Sequence, residues 1–295
     1  MAVYTDGAVA VRARTDDGWT LEGERLVDDD APAVVVLGHA MMVDRRTLDR
    51  PAGSGLASAL HARGLDVSWF DARGHGESGP RADEGGRFTY DDVVRFDVPA
   101  LVAHGREVAR GRPLVVLGHS LVGHAAMIAA GLFEDRAPDG IVAYAPNLWT
   151  PALEPSRRLR ALKTATLAGW AALARATGYF DTARYGLGRT PMAEPYVHQF
   201  QAMWRADRLG GGGDDYEAAL ARAQVDVLAF SSRNDRLFAT PASVERFVAL
   251  SRGADVEHHV LDGPDAPDHM GFVTDPRSES LWQQTASWIL KRSGA

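Results

Sequence analysis

Short unbroken apolar runs recur along the chain at Ala33–Leu37 (A-V-V-V-L), Leu65–Phe70, Pro113–Gly118, Gly140–Ala145, Val225–Ser231 and Ala254–Leu261. A run of this length with little polar alternation suits a strand buried on both faces, as in a parallel sheet. Ahead of them, Gly7–Val27 alternates in short β-prone pieces and predicts an antiparallel hairpin. Between the runs, apolar positions recur at helical spacing over Gly55–Arg63, Asp91–Arg110, Leu121–Leu132, Pro241–Ser251 and Glu279–Lys291. Strand alternating with helix implies right-handed crossovers and an α/β fold with a mostly parallel central sheet flanked by helices.

One interval breaks the alternation. From Thr150 to Arg222 only helix-like segments are found (Arg157–Ala176, Pro195–Arg208 and Tyr216–Ala223), with the glycine run Gly210–Gly213 between the last two. This predicts a helical cap over 150–222, inserted into a core made of 1–149 and 223–295. The glycine run has no strand before it and no lysine after it, so it reads as a flexible connector and not as a phosphate loop.

Composition narrows the chemistry. The chain has 295 residues, of which 45% are hydrophobic, and a formal net charge of −7. An acidic balance disfavours nucleic acid or an anionic membrane as partner, because a phosphate-binding surface needs a basic excess. There is no cysteine, which leaves serine, threonine, aspartate, lysine or histidine chemistry and no disulfide framework. No basic-then-apolar leader opens the sequence and no apolar run approaches the roughly 20 residues of a membrane span. A cytoplasmic protein is the expectation, with neither a metal nor another cofactor implied.

The candidate nucleophile is Ser120. It lies in L-G-H-S-L-V-G-H (Leu117–His124), after the run V-V-L and at the head of a helical A-A-M-I-A-A. A strand, a sharp turn on the serine and a helix lift the hydroxyl above the sheet edge and aim the helix N-terminus at it. The backbone N–H of Leu121 is then free to hold an oxyanion. The usual pattern wants a small residue two places after the serine; here that place holds Val122, whose bulk a local shift must absorb.

A serine hydroxyl needs a base. Of ten histidines, His269 is favoured, because its loop D-A-P-D-H-M-G-F follows the last strand and can swing over the sheet edge. His258 and His259 lie within that strand, and His119 and His124 flank the elbow as packing residues. Where a serine sits on such an elbow, the orienting acid lies between it and the base in the chain. Asp235, directly after the strand V-L-A-F, fits that place. The second oxyanion donor is expected from the loop G-H-A-M-M-V-D after Leu37, with the N–H of Met41 as candidate.

These segments, together with Asp71–Pro80 (D-A-R-G-H-G-E-S-G-P), resemble motifs of the α/β-hydrolases. The similarity extends closest to a bacterial group carrying G-Y-F in the cap (Gly178–Phe180), an H-x-G-F-type base loop and a tryptophan in the final helix (Trp282), and it covers roughly Pro32 to Leu290. Relatives carry His-Gly where this chain has His39-Ala40, and in them the R-G-H-G-E-S turn is structural, so Arg73, His75, Glu77 and Ser78 stay outside the catalytic set. The resemblance implies acyl hydrolysis without a cofactor. The segment from Trp149 to Trp204 is rich in aromatic residues, and Trp149, Phe180 and Trp204 are expected to line a mainly apolar pocket. The expected substrate is a carboxylic ester, thioester or lactone of an apolar small molecule, cleaved through an acyl-enzyme. Acyl transfer, peptide cleavage, C–C hydrolysis on the same triad, and a non-catalytic binding protein remain as alternatives.

Overall fold

The computed structural model describes residues 3–294. The predicted hairpin and all six apolar runs form a single eight-stranded sheet. Its strands are β1 (Val9–Arg14), β2 (Thr20–Leu26), β3 (Val34–Gly38), β4 (Asp66–Phe70), β5 (Leu114–His119), β6 (Gly140–Tyr144), β7 (Asp226–Ser232) and β8 (Val256–Leu261). They lie in the order β1-β2-β4-β3-β5-β6-β7-β8. The pairs β1/β2 and β2/β4 are antiparallel and the rest are parallel. Every residue of β3, β4, β5 and β6 is buried, which is why these strands read as unbroken apolar runs. The edge strand β8 is half exposed and accommodates two histidines.

The α-helices of six residues or more are α1 (Leu56–His61), α2 (Val98–Ala109), α3 (Leu121–Leu132), α4 (Arg157–Thr177), α5 (Glu194–Ala206), α6 (Tyr216–Arg222), α7 (Pro241–Val248) and α8 (Glu279–Arg292). The helix expected from Asp91 is interrupted by a π-type turn at Val93–Asp97. Pro99 has no N–H to return to the carbonyl four residues back, so the regular ladder begun at Tyr90–Asp92 resumes only at α2. That turn delivers Asp97 to Arg73: Arg73 Nε donates to it at 2.7 Å, and Arg73 Nη1 donates to Asp17 at 2.8 Å. The R-G-H-G-E-S turn is thereby pinned by two ion pairs of the buried Arg73, one to the buried Asp97 and one to the exposed Asp17.

Between β6 and β7, α4 and α5 pack on each other. The third predicted helix, α6, lies instead against α3. A Cβ on Gly131 would fall 1.8 Å from the Ala219 carbonyl oxygen, and Arg222 Nη2 donates to the Gly131 carbonyl at 3.3 Å. The glycine run is not a loose connector. Gly210–Gly211 pairs antiparallel with Asp214–Asp215, with Gly212 and Gly213 at φ 55° and 96° forming the tip. Such a two-residue turn requires positive φ at both places, which glycine supplies freely. Gly211 also has no room for a side chain, since a Cβ would meet Asp91 Oδ1 at 2.0 Å. Among the described residues, no helix is long and apolar enough to cross a membrane.

Candidate active site

The chain leaves β3 toward β4 on one side and returns to β5 on the other. Loops that diverge at such a switch point leave a crevice at the carboxyl ends of the strands. Ser120 follows β5 at that place, 9% exposed, with φ 49° and ψ −102°. This backbone conformation is strained for a side-chain-bearing residue and marks the sharp turn predicted there. The turn is held at both ends: Ser120 N–H donates to the Tyr144 carbonyl at 2.8 Å, and His124 N–H donates to the Ser120 carbonyl at 3.0 Å.

The structure corrects the expected shift at Val122. Gly38, the last residue of β3, pairs with Gly118 on β5, and a Cβ on Gly38 would lie 2.2 Å from Val122 Cγ1. The room that the usual glycine would leave in the helix is left by a glycine on the neighbouring strand. Gly118 is equally constrained, with its would-be Cβ 2.1 Å from Gly123 N. Gly38→Ala is therefore expected to lower stability by about 1–3 kcal/mol, the range for overpacking, and to lower activity with it. Val122→Ala in the same chain should return most of both, and urea midpoints of the four proteins measure the coupling. A single Gly38→Ala variant as stable as the parent would refute this packing account.

Asp235 follows β7, and His269 lies in the loop after β8. His269 Nδ1 is 2.6 Å from Asp235 Oδ2. The carboxylate also accepts from the backbone N–H of Phe238 and of Ala239, each at 3.0 Å. Burial pushes the Asp235 carboxyl up, but the His269 hydrogen bond and charge, aided by those N–H groups, hold it below its usual value. His119, the residue before Ser120, ties the His269 loop to the elbow: its Nε2 donates to the His269 carbonyl at 2.8 Å, with the ring centroids 5.0 Å apart. Among the described residues the Ser120 hydroxyl makes no hydrogen bond to His269. Such catalytic contacts often close only around substrate.

The loop after β3 is fixed by His39, which is fully buried. Its Nε2 accepts from Ala72 N–H at 2.9 Å, so its proton is on Nδ1, which donates to the Ala40 carbonyl at 2.7 Å. Met42 takes φ 67° in the bend that follows. Neither Met41 N–H nor Leu121 N–H makes a backbone hydrogen bond among the described residues.

A cavity lies beside Ser120, lined by Met41, His124, Asn147 and Trp149 from the core side. Trp170, Phe200 and Phe238 close it. Trp149 is where the sequence reading placed it; Phe180 and Trp204 are not in the wall. Phe180 stacks behind Trp170 with centroids 5.1 Å apart, and Trp204 turns into the helix contact, where its Nε1 donates to Thr164 Oγ1 at 2.9 Å. Both are aromatic residues of the inserted segment, and nothing in the order of residues says which ring of a stack faces the cavity. Trp170 and Phe200 belong to the same aromatic-rich segment. Phe238, three residues after Asp235, was missed, although its place next to the acid was a usable signal. His124 was read as packing and lines the cavity.

A model of the family described as "Serine aminopeptidase, S33" (Hydrolase_4) matches residues 33–264. No curated protein matches the chain. Among solved structures, a soluble variant of a monoglyceride lipase from Saccharomyces cerevisiae with a substrate analogue aligns at TM-score 0.72 and 19% identity, covering 99% of this chain and 97% of that one. An esterase from Pyrococcus furiosus aligns at TM-score 0.64 and 20% identity, covering 97% and 91%. Est1E from Butyrivibrio proteoclasticus, bound to ferulic acid, aligns at 0.63 and 15%, covering 97% and 100%. At these identities the structural likeness speaks for the fold, and the match over most of the sequence speaks for the family. The chain belongs to the serine aminopeptidase S33 family of the α/β-hydrolases.

Proposed function

We propose that the protein is a serine ester hydrolase acting on a small apolar acyl ester, with Ser120 as nucleophile, His269 as base and Asp235 as its orienting acid. The observation that carries this reading is the His269–Asp235 contact of 2.6 Å at the same sheet edge as the strained Ser120 turn. A carboxylate only accepts, so the imidazole proton sits on Nδ1 and Nε2 keeps its lone pair for the serine. His269 Nε2 takes the hydroxyl proton as Ser120 Oγ bonds the acyl carbon, and the carbonyl oxygen becomes an oxyanion. The N–H groups of Leu121 and Met41 receive that charge, with the dipole of α3 behind Leu121. His269 returns the proton to the leaving alcohol, and water releases the acid by the same route in reverse.

Helices α4 and α5 act in this reading as a cap that keeps water from the acyl group. The lipase and esterases among the structural neighbours agree with ester chemistry. The family's description names a peptidase, yet an aminopeptidase must balance a substrate ammonium. None of the residues lining the cavity is acidic, which favours a neutral acyl group. Intact mass after treatment with a fluorophosphonate tests the nucleophile: one adduct is expected on the wild type and none on Ser120→Ala. An unmodified, well-folded wild type would overturn the proposal.

A further inference from the structure

The cavity beside Ser120 is walled mostly by rings and a thioether, yet two of its side chains carry polar atoms that the protein does not use. Asn147 is 7% exposed. Its Nδ2 donates to the Phe238 carbonyl at 2.8 Å, and Trp149 Nε1 donates to the same oxygen at 2.9 Å. A carbonyl cannot donate, so the amide has one orientation and Oδ1 is held on the other side. That oxygen is buried without a hydrogen-bond partner among the described residues. An unsatisfied buried acceptor on a residue that lines a cavity calls for an explanation, and a hydroxyl group, of water or of a ligand, supplies the donor it lacks.

The second side chain is His124, 3% exposed and one turn along α3 from the serine. Its Nδ1 lies 2.7 Å from the hydroxyl of Tyr90, which is fully buried and makes no other hydrogen bond among the described residues. If the phenol accepted, its own proton would be stranded; it therefore donates, and the imidazole proton is on Nε2. Burial, with the nearby His269 adding to it, drives the His124 pKa down to about 3, so the ring is neutral. Nε2–H has no partner among the described residues.

We infer that Asn147 and His124 form a specificity site for an acyl chain carrying a hydroxyl group. The hydroxyl oxygen accepts from His124 Nε2–H, and its proton goes to Asn147 Oδ1. No acidic side chain lines the cavity, so an ammonium would enter without a counter-charge, and a carboxylate would face the asparagine oxygen. This inference rests on the ester-hydrolase reading above.

The test compares kcat/KM for p-nitrophenyl esters of butyric, 3-hydroxybutyric, hexanoic and 6-hydroxyhexanoic acids. At least one hydroxyacyl ester is expected to exceed its plain counterpart by about tenfold or more, because a site built around a hydroxyl rejects the analogue lacking it. In Asn147→Leu and in Tyr90→Phe that ratio should fall to within about twofold. The ratio is the readout that mere structural damage does not move, and Tyr90→Phe carries the test if Asn147→Leu fails to fold. Equal turnover of all four esters by the wild type overturns the hydroxyl site while leaving ester hydrolysis standing. Turnover of none overturns both. A preference that survives both substitutions, or a p-nitrophenyl succinamate preferred over the hydroxyacyl esters, also sinks the assignment.

Discussion

Ser120→Ala is expected to lower kcat for a short-chain p-nitrophenyl ester by at least about four orders of magnitude, with the unfolding transition unmoved. The size follows from what the hydroxyl does in the proposed mechanism: without it no acyl-enzyme forms, and only the oxyanion donors and binding contacts remain. Ser120→Gly should be equally inactive but more stable. The serine holds φ 49° and ψ −102°, a conformation costing side-chain-bearing residues roughly 1–3 kcal/mol, and glycine is freed from that cost although it gains entropy in the unfolded chain. A gain of about 1 kcal/mol in urea unfolding is the expected compromise. Residual activity near the wild-type level in pure Ser120→Ala would show that another residue attacks.

The second large effect is with acid. His75, His119 and His124 are each driven down to about 3, mainly by burial, and His39 is lowered for the same reason. Their ordinary value is about 6.5. Between roughly pH 6.5 and 3 the unfolded chain therefore holds protons that the fold excludes, so stability falls as pH falls. Asp97 works the other way. Burial raises it to about 6, so above pH 4 the fold keeps a proton that the unfolded chain has released. Two to three protons taken up on unfolding at pH 5 remain, a slope of about 3–4 kcal/mol per pH unit. Against a total of about 5–15 kcal/mol, a large share of the stability should be gone by about pH 4. Urea midpoints measured from pH 7 to 4 give the slope directly; a flat profile between 7 and 5 would show that these imidazoles reach water.

How much of this could be read from the order of residues depends on the range of the contact. The strands and the Ser120 turn announce themselves locally, as Val-rich runs and as a strand–serine–helix junction. The contact between Asp235 and His269, the proposed partners of Ser120, was legible because a loop after a strand end has few places to go. Val122 shows the limit: its accommodation depends on Gly38, more than eighty residues away in the chain and in contact only through sheet register. The pocket wall shows it again. Trp170 and Phe180 stack on each other, so both look alike as buried aromatics, and only the direction in which α4 is presented decides which one faces the cavity. The π-type turn before α2 and the glycine hairpin were misread for a related reason, since spacing registers residue types and not the bond that Pro99 withholds or the space that Asp91 occupies.

The aromatic stack has an optical side. Phe238, Trp149, Trp170, Phe180 and Tyr185 follow one another with centroids 5.1–6.3 Å apart and interplanar angles of 16–27°. The row begins next to the acid loop and ends at a tyrosine that is 47% exposed. Its two indoles, both in the cavity wall, lie nearly parallel at 6.3 Å, close enough for their excited states to mix. The near-ultraviolet circular dichroism of this pair is thus a native gauge of the distance between α4 and the core, and needs no dye to follow what happens when the cavity fills.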